Sequence, residues 1–186
     1  LKNIESAGRV CYKSEDKITD TSAKKFVEMV IKRGHESVIE HGNISIRFIC
    51  ARGFTHQICR HRLASFSQES TRYCNYNNSK FKNQLTFIQP PEFRKRNFLS
   101  RLVLKAAAKF SELCYMSLIR LGRSPQEARG VLLIDVKTEI VVTANLREWR
   151  HILKLRCSNA AHPSMRELMI PLLKELQSKI PVIFDD

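Results

Sequence analysis

Arg60-His61-Arg62-Leu63-Ala64-Ser65-Phe66-Ser67-Gln68-Glu69-Ser70-Thr71-Arg72-Tyr73 sets three arginines, a histidine, three serines and a glutamine within fourteen residues. A solvated helix face mixes lysine and glutamate with leucine, and this stretch does not. Arginine presents a fixed fork of donors matched to phosphate and carboxylate oxygens, and it stays charged at any relevant pH. Hydroxyls and an amide among such forks suit a pocket for an anionic, hydrogen-bonding small molecule. The plainer alternative is a basic surface loop.

Working outward, Asn43 to Arg52 alternates, with Ile44, Ile46, Phe48 and Cys50 on one face, and reads as a strand ended by Gly53. Phe54 to Ala64 then reads as a helix, which would place Gln57, Arg60, His61 and Ala64 on one face. Ser65 to Tyr73 is too polar for core and reads as a loop over the pocket. Upstream, a short helix is expected over Glu5–Tyr12. Another spans Thr21–Lys32, with Phe26, Val27, Val30 and Ile31 inward and Gly34 closing it. His35 and His41, with Glu40, invite a metal reading. Their spacing is not that of a helical metal pair, no third ligand stands nearby, and no metal is expected.

Downstream, Leu85–Ile88 reads as a short strand before Pro90-Pro91, and Glu92–Leu121 as the longest helix, ended by Gly122. Its expected buried face is Phe98, Leu102, Ala106, Phe110, Leu113 and Leu121. Ser124-Pro125-Gln126-Glu127 is a helix start with proline in the first turn. Thr138–Thr143 reads as a strand running into Asn145-Leu146-Arg147-Glu148-Trp149-Arg150-His151-Ile152-Leu153-Lys154-Leu155-Arg156. There Asn145 and Glu148 resemble a capping box. Arg147, His151 and Lys154 line one side of this helix, and Trp149, Ile152 and Leu153 face the core. A last helix spans Met165–Lys179. By itself the Asn145–Arg156 segment also fits a capped amphipathic helix with a basic outer face.

The 186 residues are read as one domain, 1–186, without repeats or linkers. No apolar run approaches a membrane span, and no charged-then-apolar leader is seen, although the opening at Leu1 leaves the true start open. Six cysteines without a CxxC pair suit a reducing, cytoplasmic setting rather than a disulfide framework. A net charge of +14 suggests nucleic acid or an enzyme of polyanionic ligands. The arginines form short clusters with His, Ser, Asn and Gln instead of one basic tail, which favours the enzyme; no nucleic-acid or membrane partner is expected. Six glycines form neither GxGxxG nor a P-loop, so any nucleotide cofactor must bind by another route.

Arg60-His61-Arg62, seven residues, Ser70, then Arg72-Tyr73 resembles the signature of the flavin-dependent thymidylate synthases. Asn145-x-Arg147-x-x-x-His151, closing on Leu155-Arg156, is similar to that family's second site element, with His151 in an Asn/His position. His162-Pro163-x-x-Arg166-Glu167, Glu40-His41 and Gln57 also match. Ala128-Arg129-x-Val131-Leu132 matches another element, although Leu133 stands where the family usually has proline. The resemblance runs from about Ala7 to Leu173.

It implies an α/β fold of the α+β type, an antiparallel sheet flanked by long helices, assembled as a homotetramer with sites shared between subunits. It also implies reductive methylation of dUMP to dTMP, with methylenetetrahydrofolate as carbon donor and NADPH-reduced FAD as hydride source. FAD would be held by Arg60, His61, Leu63 (backbone), Asn145, Arg147 and His151. The nucleotide would be held by Gln57, Gln68, Ser70, Thr71 (backbone), Arg72, Arg129 and Arg156. By the same resemblance Arg156, Ser70 and His41 would form the catalytic set, with His41 beside the isoalloxazine where folate is expected. A serine without a base at hydrogen-bond reach is a weak nucleophile, so Ser70 is expected to orient and polarise the nucleotide without bonding covalently to it.

Overall fold

The computed structural model describes residues 1–94 and 97–185. Helix α2 (Ser22–Lys32) forms where the apolar spacing placed it, whereas α1 (Lys2–Val10) begins before the expected Glu5 and ends before Tyr12. Gly34, past the cap residue Arg33, takes φ +72°, the left-handed geometry glycine adopts without a Cβ penalty. Buried Glu5 receives Arg9 at 2.7 Å and the Ser22 hydroxyl at 2.8 Å, tying α1 to α2. Glu36–His41 is a 3-10 turn. Strand β1 (Asn43–Ala51) follows with the expected alternation, burying Phe48 and Cys50.

Helix α3 (Arg52–Ile58) is shorter than the reading through Ala64. The Cys59 N–H closes onto the Thr55 carbonyl at 3.1 Å, and the chain then turns, with Ala64 N–H on the His61 carbonyl at 3.1 Å. Gln57 stays on the helix, but Arg60 and His61 do not share its face. The cause is the His61 side chain, 6% exposed and hydrogen-bonded off the helix axis; a buried ring nitrogen must find partners, and continuing the helix would withdraw it from them.

The expected loop from Ser65 begins as a strand, β2 (Ser65–Gln68), in which Phe66 and Gln68 are half-buried and the two serines exposed. The expected Leu85–Ile88 strand reduces to a single antiparallel bridge between Phe87 and Val136. In place of one helix over Glu92–Leu121 there are α4 (Pro91–Arg94) and α5 (Phe98–Arg120); Lys95 and Arg96 lie outside the described residues. Asn97 starts α5 afresh, its side-chain oxygen accepting the Ser100 N–H at 2.9 Å.

The face expected to be buried on α5 is the exposed one. Phe98 is 73% exposed, Phe110 69%, and Leu102, Ala106, Leu113 and Leu121 are exposed too. Ser111, Tyr115 and Met116 are buried instead. Leu99 and Val103 extend the exposed apolar stripe. Helical periodicity identifies an apolar face but not what covers it.

Helix α6 (Pro125–Ala128) has a complete Ser124–Glu127 capping box and passes into a 3-10 turn, Arg129–Val131. Strand β3 (Lys137–Asn145) leads into α7 (Leu146–Arg156), then α8 (Pro163–Lys179) and α9 (Pro181–Phe184). The strands form one small antiparallel sheet, order β1-β3-β2, so the mixed α/β fold with helices and an antiparallel sheet stands as expected.

Residues group into two compact units. The first is Leu1–Ile46, His61–Ser65 and Val142–Asp186; the second is Arg47–Arg60 and Phe66–Val141. In the first, Trp149 is fully buried and donates its indole N–H to the Ile44 carbonyl at 3.0 Å, with Ile152, Leu153 and Met169 also in the core. In the second, Phe54 packs on Phe48 with centroids 5.1 Å apart, and Tyr115 on Tyr76 at 5.6 Å.

Candidate active site

In the first unit, α7 carries the polar positions. Asn145 is its N-cap, and the side-chain oxygen accepts the Glu148 N–H at 2.8 Å. Burial of Leu146, Trp149, Ile152 and Leu153 turns Arg147, His151 and Lys154 outward. Arg147 donates to Glu40 at 2.7 Å and lies 3.5 Å from Glu36; the Glu40 hydrogen bond leads in holding this guanidinium even more firmly charged than usual. Arg150 also lies 3.5 Å from Glu36. A cavity of about 1090 Å³ is lined by Leu63, Asn145, Arg147 and His151, with Leu173 and Phe184 among its apolar wall.

Buried beside this helix is His61. The Arg156 Nε–H donates to His61 Nε2 at 2.9 Å, while Nδ1 lies 3.5 Å from Glu148 Oε1. The His61 and His151 rings meet edge to face, centroids 6.0 Å apart. Burial, then the charges of Arg156 and His151, lowers the His61 pKa from 6.5 to about 4, so the ring is neutral at pH 7. Burial raises the Glu148 carboxyl, with His151 opposing.

In the second unit, the chain after β2 forms a tight turn. The Ser70 carbonyl accepts the Tyr73 N–H at 3.2 Å and the Cys74 N–H at 2.9 Å, and the Ser70 hydroxyl accepts the Arg72 N–H at 3.3 Å. Among the described residues no histidine hydrogen-bonds to Ser70. Thr71 is buried. Arg72 donates to the Gln126 side chain at 2.9 Å and stacks over Tyr73. Gln68 donates its amide to the buried Thr55 hydroxyl at 2.9 Å, and the Gln57 amide reaches the Gly53 carbonyl at 3.4 Å.

Beneath the turn, Glu69 accepts the Tyr76 hydroxyl at 2.6 Å and lies 3.6 Å from Lys137. Lys137 also holds Glu139 at 2.6 Å, and Arg47 pairs with the same carboxylate. Burial first, then the bond to Glu69, pushes the Tyr76 phenol well above its ordinary value, so it remains a donor.

The structure thus joins His61, His151 and Arg156 around one buried imidazole, and places Leu63, Asn145, Arg147 and His151 on one cavity. It groups Gln57, Gln68, Ser70, Thr71, Arg72 and Arg129 in the second unit, with Arg129 exposed at the turn after α6. Arg60 belongs to the second unit and is exposed. His41, exposed at the end of its 3-10 turn, lines a separate cavity of the first unit with Ile4, Gly42 and Leu146.

Three groups escaped the sequence reading. Glu148 read as a helix cap, but its side chain faces His61. Glu69 and Tyr76 gave no signal, because they lie seven positions apart along irregular chain. Glu36 and Glu40 as partners of Arg147 were hidden by a separation of more than a hundred residues.

The lining of the first-unit cavity combines arginine, imidazole and amide donors of the kind a pyrophosphate needs with leucine and phenylalanine of the kind a ring needs, and it also includes the carboxylates Glu36, Glu40 and Glu148.

A family model described as thymidylate synthase complementing protein matches residues 1–182. The flavin-dependent thymidylate synthase of Mycobacterium avium (strain 104) is 33% identical over 195 residues, covering 98% of this chain and 78% of that protein. The same enzyme of Mycolicibacterium vanbaalenii is 34% identical over 200 residues, with the same coverage. A crystal structure of thymidylate synthase X from Helicobacter pylori, with FAD and dUMP, matches with TM-score 0.74 at 23% identity. It covers 99% of this chain and 92% of that one, and so shares its fold.

Proposed function

The chain belongs to the flavin-dependent thymidylate synthase family, and from that premise we propose how its residues divide the work of methylating dUMP to dTMP. FAD is the cofactor, methylenetetrahydrofolate the carbon donor and NADPH the reductant. The observation that carries the reading is the 2.9 Å hydrogen bond from Arg156 to His61. It joins the Arg60-His61-Arg62 element to the Asn145–Arg156 element, ninety-five residues away, at one buried point.

Asn145, Arg147, His151, His61, Arg60 and the Leu63 backbone hold FAD, which supplies hydride chemistry when bound. To receive a pyrophosphate, Arg147 exchanges its carboxylate partners, exposed Glu40 and half-buried Glu36, for phosphate oxygens, a small loss because surface pairs contribute little. Gln57, Gln68, Ser70, the Thr71 backbone, Arg72 and Arg129 hold the nucleotide, with Arg156 on its base. Arg156 stabilises negative charge that develops on the uracil as the methyl group is installed. Ser70 orients and polarises the nucleotide. His41 guides the folate.

Residues 1–186 act as one thymidylate synthase domain. We read the active form as a homotetramer with sites shared between subunits. The exposed apolar stripe of α5 supports this, since Phe98, Leu99, Leu102, Val103 and Phe110 on one face need a cover. All six cysteines are free, which supports a cytoplasmic setting. Among the described residues no helix is long and apolar enough to cross a membrane.

The test is direct. Purified protein incubated with FAD should be yellow and should convert dUMP to dTMP with methylenetetrahydrofolate and NADPH. Protein that stays colourless in excess FAD, with no quenching of flavin fluorescence and no dTMP formed, refutes the proposal.

A further inference from the structure

Arginine has donors only and does not give up its proton in a protein. The 2.9 Å contact between Arg156 Nε and His61 Nε2 therefore fixes the direction of that hydrogen bond: Nε2 carries the lone pair. The single proton of the neutral imidazole is then on Nδ1. That nitrogen lies 3.5 Å from Glu148 Oε1, an acceptor. The His61 side chain is 5% exposed and that of Glu148 7%, so water competes little at either end.

The ordinary role of a glutamate three residues after an Asn cap is to fold back on the cap's backbone N–H. The Asn145 side chain makes its half of that motif, but among the described residues Glu148 does not return it. The contrast within the same chain is clear at Ser124, where Glu127 makes both halves of the box. Glu148 is directed instead at the imidazole, and the imidazole at an arginine eight residues further along the same helix.

We propose that Glu148 is a positioning residue: by fixing the Nδ1–H tautomer of His61, it makes Nε2 the acceptor that orients Arg156 toward the nucleotide. In the opposite tautomer an N–H would face the guanidinium, donor against donor, and the 2.9 Å bond would be lost. An arginine held through Nε has its plane set before substrate arrives, so less rotamer freedom is lost on binding. This inference rests on the assignment of Arg156 to the nucleotide made above.

The experiment compares Glu148→Leu with Glu148→Gln. The glutamine carbonyl still offers an acceptor on the Nδ1 side, whereas leucine fills similar space without one. Long-range proton–nitrogen spectra of histidine-labelled protein, with the His61 signal assigned by its loss in His61→Gln, report the tautomer. The expected result is the Nδ1–H form in wild type and Glu148→Gln, and loss of that preference in Glu148→Leu. The dUMP dissociation constant should rise about tenfold in Glu148→Leu, the scale of one hydrogen bond. It should stay within about threefold of wild type in Glu148→Gln, while both variants still take up FAD.

An Nε2–H tautomer in wild type overturns the proposal, as does a Glu148→Leu protein with unchanged tautomer and unchanged dUMP affinity. Equal losses in both variants also overturn it, since they would report only the buried charge. Absence of dUMP binding by wild type refutes the functional assignment and the nucleotide half of the proposal together. The tautomer measurement needs no nucleotide and decides the other half by itself.

Discussion

Acid should weaken this protein through one imidazole. His61 is 6% exposed, and burial, with Arg156 and His151 nearby, depresses its pKa from 6.5 to about 4. Protonating it in the fold would place a cation against the Arg156 guanidinium and remove the lone pair that accepts the 2.9 Å bond. In the unfolded chain the same ring takes a proton near 6.5. As pH falls from 6.5 to about 4 the unfolded state binds a proton that the native state refuses. Stability is therefore complete above 6.5 and declines through that window. The gap between 6.5 and about 4 corresponds to about 3 kcal/mol, a large part of the 5–15 kcal/mol that holds a typical domain together.

Urea unfolding of wild type and His61→Gln, at fixed FAD concentration and at steps from pH 7 to pH 4, isolates the effect. Glu148 works with the opposite sign, because its raised carboxyl takes up a proton more readily in the fold than in the unfolded chain. Carboxylates common to both proteins cancel in the comparison. Wild type should lose about 3 kcal/mol more than His61→Gln across the window. Curves that stay parallel to within about 1 kcal/mol would mean that His61 accepts its proton in the folded state, and the neutral-ring reasoning would be wrong.

Three further outcomes are expected. Arg72→Ala or Arg129→Ala should weaken dUMP binding by about 1.5–3 kcal/mol, the scale of a hydrogen bond to a charged group, while FAD titration is little changed; equal loss of both ligands would show these arginines assigned to the wrong molecule. Ser70→Ala should keep measurable dTMP formation with a raised dUMP requirement, and a Ser70–pyrimidine adduct in mass spectra would contradict this. Phe98→Asp combined with Phe110→Asp should shift the assembly toward smaller species in light scattering without loss of helical circular dichroism, and an unchanged mass would remove the α5 stripe from the interface.

What was legible in the sequence was local. The Asn145 cap and the inward row Trp149, Ile152 and Leu153 follow from spacing along one helix, and the structure buries each of the three. The Ser124 capping box and the glycine stops at Gly34 and Gly122 are likewise local, and both glycines take positive φ. What failed depended on distant partners. Helix α3 stops at Ile58 because His61 is drawn to α7, and nothing near residue 61 in the sequence announces Glu148 or Arg156. Strand β2 is four residues long and half serine, a weak signal until a neighbouring strand supplies its hydrogen bonds. The α5 stripe reads as core in the sequence because periodicity marks an apolar face without saying whether it is buried.

Charge placement supports the proposed division between ligands. Residues 47–60 and 66–141 carry sixteen Lys and Arg against six Asp and Glu, and the rest of the chain sixteen against twelve, so most of the +14 belongs to the second unit. The second unit's carboxylates are largely committed. Glu69 and Glu139 engage Lys137, with Arg47 also on Glu139, Glu112 holds Lys109, and Glu127 lies 3.6 Å from Arg123. Arg72, by contrast, is steadied by neutral groups, the Gln126 amide and the Tyr73 ring, and Arg129 makes no ion pair among the described residues. A guanidinium oriented by an amide keeps its full charge for an incoming anion, whereas one paired with a carboxylate must exchange an anion for an anion. Arg147, held by Glu40 and Glu36, is of the second kind. In the proposed division of ligands, Arg72 and Arg129 would meet an anion on first contact, which suits the phosphate of a small nucleotide that must arrive and leave with every turnover. Arg147, already matched to negative charge, would in the same proposal suit a cofactor that stays.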